Sequence, residues 1–210
     1  MRQDLVSVKP LSSSFLACEK DIQYILQALF VGSKPYSDIL KRLLIINEPD
    51  CLDKSITAYQ DIIDSKNLAT LRQEGYIKLN PKVSRKEHED IKSYIILTFD
   101  NFTLNPNNPA YKDFTVTFDI ICYNDAWELD NYKIRPLLIC GYIDGILNSL
   151  TNPYKGTWAG SVGDIRLSGI GEYQFLGCQF NVLDEDLGLY TLMYNAVHFT
   201  EDIQKDKDEE

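Results

Sequence analysis

The residues that could do chemistry in this chain are few and far apart. There are two histidines, His88 and His198, and five cysteines, Cys18, Cys51, Cys122, Cys140 and Cys178. Neither histidine has the His/Cys/carboxylate spacing of a zinc site, and the cysteines form no CxxC pair. Three cysteines fall at apolar or near-apolar positions of strand or helix patterns, where a free thiol acts as a small hydrophobe. Asp184, Glu185 and Asp186 could be imagined around a divalent ion, but three carboxylates between strands read more simply as turn residues. Gly169-Ile170-Gly171 is not followed by a helix signature, so it lacks the setting of a dinucleotide loop. GxxxxGK[ST], GxSxG and HExxH are all missing. The sequence assigns no catalytic residue, no metal ligand and no cofactor.

Composition sets the bounds. At 210 residues, 44% hydrophobic and 25% charged, the chain is long and apolar enough to bury a core without covalent staples. The formal charge of −10 argues against a protein that binds nucleic acid by neutralising phosphates. It is compatible with DNA sliding past without being held. Scattered cysteines in odd number favour a reducing compartment. Neither a signal peptide nor a long apolar run is found, so a soluble protein made in a cytoplasm, with no membrane contact, is expected.

The elements that must position any surface are organised around residues 92–150. In Lys92–Thr103, Ile95, Leu97 and Phe99 share one side. In Phe114–Tyr123, Phe114, Val116, Phe118, Ile120 and Cys122 alternate with Thr115, Thr117 and Asp119. That period of two predicts half-buried strands. Asn105-Pro106-Asn107-Asn108-Pro109 predicts the turn between them. A helix is predicted over Asn131–Asn148, from a run of helical spacing through Leu137, Leu138, Ile139, Tyr142, Ile143, Ile146, Leu147 and Leu150, with Pro136 near its start or at a kink. Its Gly141 and Gly145 form a GxxxG, read as a place where another element approaches closely.

Upstream, Ser12-Ser13-Ser14 offers a cap for a helix that runs to about Val31 and stops at Gly32. Pro35 opens a second helix over Tyr36–Asn47, and Cys51–Arg72 reads as a third helical piece. Downstream, Asp164–Val182 predicts a third strand with a bulge or bend at Gly169-Ile170-Gly171. The turn Asp184–Gly188 leads to a fourth strand, Leu189–Phe199. The fold class expected is α+β: an antiparallel four-stranded sheet with a packed helix, plus an N-terminal helical extension. The division expected is a helical region over 1–75, an α+β domain over 76–200 and an acidic mobile tail over 201–210.

Two stretches are candidates for partner contact. The charged excursion around 80–90 holds Lys82, Arg85, Lys86 and His88 and reads as the tip of a hairpin arm, either simply solvated or docking on an acidic neighbour. The Gly-rich loop 151–163 holds Tyr154 and Trp158, rigid rings that either anchor a partner or fold back over the sheet edge.

The order helix, strand, polar turn, strand, helix, strand, strand resembles the tail-terminator and tail-completion proteins of tailed phages. The resemblance is carried by Ser93–Phe102, Asp113–Tyr123 with Asn124-Asp125, the helix Asn131–Asn148, Asp164–Phe180 and Leu189–Phe199. Residues 1–75 supply two or three helices where the typical member has about one. The resemblance implies a non-enzymatic structural ring subunit of the phage neck, closing as a homo-oligomer of 6 or 12 copies. Its implied neighbours are a portal or adaptor protein on one side and tail proteins on the other, with DNA passing through unbound. The implied location is the virion, after assembly in the host cytoplasm. A different class of function is a soluble small-ligand or enzymatic domain with a carboxylate-lined pocket built from Asp100, Asp119 and Asp184–Asp186. A third is a chaperone or adaptor built on the N-terminal helices.

Overall fold

The computed structural model describes residues 22–23, 25–32, 35–79, 93–104, 112–151, 170–184 and 186–198. The predicted strand alternation is realised in β2 (Ser93–Leu104) and β3 (Lys112–Tyr123), which pair antiparallel with Ile95 opposite Ile120 and Leu97 opposite Phe118. Directly opposed residues share a face. One face therefore carries Ile95, Leu97, Phe114, Val116, Phe118, Ile120 and Cys122, all buried. Strand β7 (Leu187–His198) pairs with β3, and β6 (Ile170–Asp184) pairs with β7, both antiparallel. A register shift between Ile170 and Glu172 puts an irregularity at Gly171, where the glycine pattern predicts a bulge. The last strand begins at Leu187 rather than Leu189, because Gly188 belongs to the ladder and not to the turn.

The sheet differs from the expectation in one strand. β1 (Ile77–Lys78) joins β2 in parallel, with Ile77 opposite Ile95, giving a five-stranded mixed sheet in the order β1-β2-β3-β7-β6. A hairpin connecting Tyr76–Leu79 to Tyr94–Leu97 would require them to run antiparallel, so that expectation is corrected. Residues 80–92 are numerous enough for a parallel crossover, which needs about a dozen; the segment itself lies outside the described residues. Ile77 is buried in the common core, and Tyr76 O accepts from Ile95 N at 2.9 Å.

Helices cover the core face. A π-helical turn, Ala28–Gly32, ends the first helical segment, whose Ile25, Leu26, Leu29 and Phe30 are buried as their spacing predicts. Helix α1 (Tyr36–Ile45) opens after Pro35 and buries Leu40, Leu43 and Leu44. The third helical piece is two helices, α2 (Thr57–Ser65) and α3 (Leu68–Glu74). The break comes from Asn67, whose side-chain oxygen accepts from Thr70 N at 2.9 Å and caps a new helix. Gly75, at φ +94°, closes α3, with Tyr76 N donating to Leu71 O.

Helix α4 (Arg135–Thr151) lies over the sheet and buries Ile139, Ile143, Ile146 and Leu147. It starts four residues later than predicted, with Pro136 in its first turn where a missing N–H costs nothing. The preceding residues form a small hairpin instead: β4 (Glu128–Leu129) pairs with β5 (Lys133–Ile134) across Asp130–Tyr132. The GxxxG expectation is also corrected. A Cβ at Gly141 or Gly145 would meet nothing within 4 Å, so none of the described elements approaches there. Close approach occurs at Gly188, where a Cβ would come within 2.3 Å of the Trp127 ring.

Arg135 joins the helical region to the sheet layer. Its fully buried guanidinium donates from Nε to Ala126 O at 2.6 Å. From Nη1 it reaches Leu43 O and Ile46 O at 2.8 and 2.6 Å. From Nη2 it reaches Asn47 O and Glu48 O at 2.9 and 3.0 Å. All five N–H donors are used, and four of the acceptors lie at or just beyond the C-terminus of α1, where the helix dipole favours a cation. One core cluster accordingly runs from Ile25 through Leu71 to the sheet residues Ile95, Phe118 and Leu192.

Candidate functional site

The contact residues proposed from sequence, Lys82, Arg85, Lys86, Tyr154 and Trp158, lie outside the described residues. Of the carboxylates of the alternative reading, Asp100, Asp119 and Asp186 do not converge, while Glu185 and the Asp184 side chain lie outside what is described. Asp100 stands four positions along β2 from Ile96, the partner of Asp119, which separates the two by about 13 Å. Asp119 accepts from Thr191 Oγ1 at 2.7 Å, and Asp186 sits beyond Leu187 on the far turn. Among the described residues no three His, Cys, Asp or Glu side chains group as metal ligands. The buried thiols are not poised as nucleophiles. Burial pushes Cys51 above its ordinary range, Cys122 up to about 11, and Cys140 upward as well, its Sγ 4.0 Å from that of Cys178.

What the described residues do present is exposed apolar surface. β6 is an edge strand, and its apolar side chains face outward: Val182 is 70% exposed, Leu176 51% and Phe180 49%, with Leu183 beside them. Phe180 is held edge-on by Trp127 at 5.7 Å and lies 5.0 Å from Tyr190, so a rigid aromatic cluster backs the edge. Trp127 fits only because Gly188 beneath it lacks a side chain. The opposite edge is half open too. β1 covers β2 only at Ile95 and Ile96, and among the described residues nothing pairs with the outer side of β2 from Leu97 to Leu104.

A second surface is a cleft of about 610 Å³ where α1 and α2 meet the β4–β5 hairpin and α4. Arg42, Lys54 and Lys133 line it against a single acid, Asp38, with Ile39 and Tyr142 as apolar wall. Arg42 is 5% exposed and donates to Asp53 O at 2.9 Å and Gln60 Oε1 at 3.0 Å, with a longer contact to Cys51 O. Each acceptor is a neutral oxygen. Beside the cleft, across Leu52 and Lys133, is a smaller hollow of about 230 Å³ bearing Asp50, Asp53 and Asp130. Ser55 N donates to the Asp53 carboxylate at 2.8 Å and lowers its pKa. Tyr59 donates to Asp50 Oδ1 at 2.7 Å, which raises the phenol to about 12.

The hairpin tip between these hollows is strained. Asn131 and Tyr132 have φ of +61° and +59°, and Tyr132 is fully exposed. Asparagine tolerates the left-handed region; tyrosine does so at a cost of about 1–2 kcal/mol. No pattern in the sequence singles out Lys54, Lys133, Tyr132 or Phe180, because what unites them is tertiary placement.

The fold thus defines an α+β protein whose helices cover one face of a mixed five-stranded sheet, with the outer side of β6 and that of β2 beyond Ile96 unpaired among the described residues. A family model described as YomW matches residues 37–196, from α1 almost to the end of β7, and the chain belongs to the YomW family. No curated protein and no solved structure matches the chain.

Proposed function

We propose that the chain is a structural, non-enzymatic subunit that closes into a ring at the neck of a tailed phage, between portal or adaptor and tail. The observation that carries the self-assembling part is the open, apolar edge of β6. An uncovered edge strand offers a row of backbone donors and acceptors to another chain, and soluble monomers normally blunt such an edge with charge or proline. Here Leu176, Phe180, Val182 and Leu183 stand along it instead.

A ring needs two different complementary flanks, because a head-to-tail contact repeated by rotation closes. The outer side of β2 beyond Ile96 is the natural counterpart for β6, so that the sheet continues from one copy to the next. The phage-neck assignment rests on the resemblance in element order, and the charge of −10 suits a passage through which DNA moves unheld. The test is quantitative mass spectrometry of purified virions from a host that encodes the chain. A fixed copy number of 6 or 12 per particle supports the reading, and its absence from intact virions rejects the neck assignment.

A further inference from the structure

We infer that Cys178 and Cys140 are an oxidation site, a thiol pair that closes to a disulfide when the chain meets a peroxide and so pins the edge strand β6 to helix α4. The inference needs no partner and is independent of the ring reading above.

The two sulfurs face each other where α4 meets β6, 4.0 Å apart. In the ladder Cys178 stands opposite the buried Leu192, which puts it on the helix-covered face of the sheet. Because β6 is the outermost strand, its thiol is nevertheless exposed. Cys140 lies beside the fully buried Ile139 and is only 7% exposed. The pair therefore has two unlike members: Cys178 meets an oxidant from solvent, and Cys140 waits behind it. Burial, with the Cys178 thiol alongside, pushes Cys140 upward, which keeps it a protonated thiol near neutral pH. Cys51 and Cys122 are wholly buried, so neither is open to an oxidant in water. Among the described residues only Cys178 combines exposure with a second sulfur in contact.

A disulfide places its sulfurs about 2.05 Å apart, so about 2 Å must be closed. Helix α4 is fixed by the buried Ile139 and Ile143 and by the five bonds of Arg135. The strand has more freedom. It is held by β7 on one side, and its ladder shifts register between Phe175 and Gly177, immediately before Cys178. Such an irregularity lets a strand bend, and rotation about Cα–Cβ of both cysteines supplies the rest.

The chemistry balances with hydrogen peroxide as the oxidant. Cys178 Sγ attacks one peroxide oxygen and the O–O bond breaks, giving a sulfenic acid and one water. Cys140 Sγ then attacks Cys178 Sγ. The S–S bond forms, the S–O bond breaks, and the hydroxyl leaves with the Cys140 proton as a second water. Each sulfur gives up one electron, and the two peroxide oxygens take up both. The bond joins residues 38 positions apart and gives the edge strand a covalent hold that β7 alone does not provide.

The test uses the full chain, first reduced with dithiothreitol, then freed of it and treated with hydrogen peroxide. Non-reducing peptide mapping is expected to find Cys140 joined to Cys178 within one chain. The melting temperature is expected to rise by about 10 °C and to fall back when dithiothreitol is restored. Amide exchange over residues 176–183 is expected to slow at least tenfold. Cys178→Ser alters an exposed side chain, so it should melt with reduced wild type and show neither the link nor the rise. Cys178 carried on to a sulfinic acid beside a free Cys140 overturns the inference, as does Cys178 linked to a second chain or to another cysteine. A link without a rise in melting temperature, or an equal rise in Cys178→Ser, overturns it too. The wild-type peptide map decides the case even if the variant fails to fold.

Discussion

Replacing Arg135 with methionine removes the side chain that ties α1 to α4, and its cost can be worked from the bonds it makes. Five carbonyl oxygens lose their donor. Those of Asn47 and Glu48 are partly exposed and can turn to water, whereas those of Ala126, Leu43 and Ile46 are buried in this arrangement. An orphaned buried acceptor costs about 1–3 kcal/mol. Methionine recovers part of this by sparing the desolvation of a guanidinium, which leaves a net loss of about 3–5 kcal/mol. Against a typical stability of 5–15 kcal/mol, that is a large fraction of the whole. Urea unfolding followed by circular dichroism is expected to show a lower midpoint at unchanged slope, with cleavage near residues 46–50 in limited proteolysis. Arg135→Lys keeps the charge but has only three donors, so it is expected to fall between wild type and Arg135→Met. A methionine variant within 1 kcal/mol of wild type would refute the reasoning, since the guanidinium would then be no better than apolar packing.

Three further outcomes follow from the same structure. Gly188→Ala places a Cβ 2.3 Å from the Trp127 ring, and the overpacking is expected to cost about 1–3 kcal/mol in thermal or urea unfolding. Tyr132→Gly relieves a left-handed tyrosine and is expected to raise stability by up to about 1 kcal/mol in the same assays, while weakening assembly if the ring at the hairpin tip touches a neighbour. Alkali should destabilise the protein through Cys122, whose thiol burial pushes to about 11 from 9.0. A raised folded-state pKa means that the stabilisation is complete below pH 9 and is lost as pH rises through 11. The full difference is about 2–3 kcal/mol, and Cys122→Val is expected to flatten that part of the pH profile.

Local pattern was readable where one face of an element is buried. The alternation from Phe114 to Cys122, the helical stripe from Leu40 to Leu44 and the irregularity at Gly171 stand where their residue types put them. Direction was not readable for β1, since two residues carry no information about parallel or antiparallel pairing. Nor was the division of α2 from α3, because an asparagine cap looks like an ordinary polar residue inside a helical pattern. Arg135 shows the deeper limit. Four of its five acceptors are 87 to 92 residues away in the chain, so nothing near it in sequence announces its role. The same holds for the cleft, which Lys54 lines from the loop before α2 and Lys133 from the hairpin. The contact residues that pattern suggested, from Lys82 to Trp158, fall on segments outside the described structure, while the surfaces the fold does display lie elsewhere.

The mass of the purified particle in native solution tests most directly whether this chain works by touching copies of itself. Sedimentation analysis of wild type beside a Phe180→Asp, Val182→Lys variant is the measurement. The β6 edge requires wild type to form one discrete closed oligomer and the variant to be monomeric, folded and unchanged in circular dichroism. A wild type that stays monomeric at the highest concentration reached, or a variant that assembles equally well, contradicts the account.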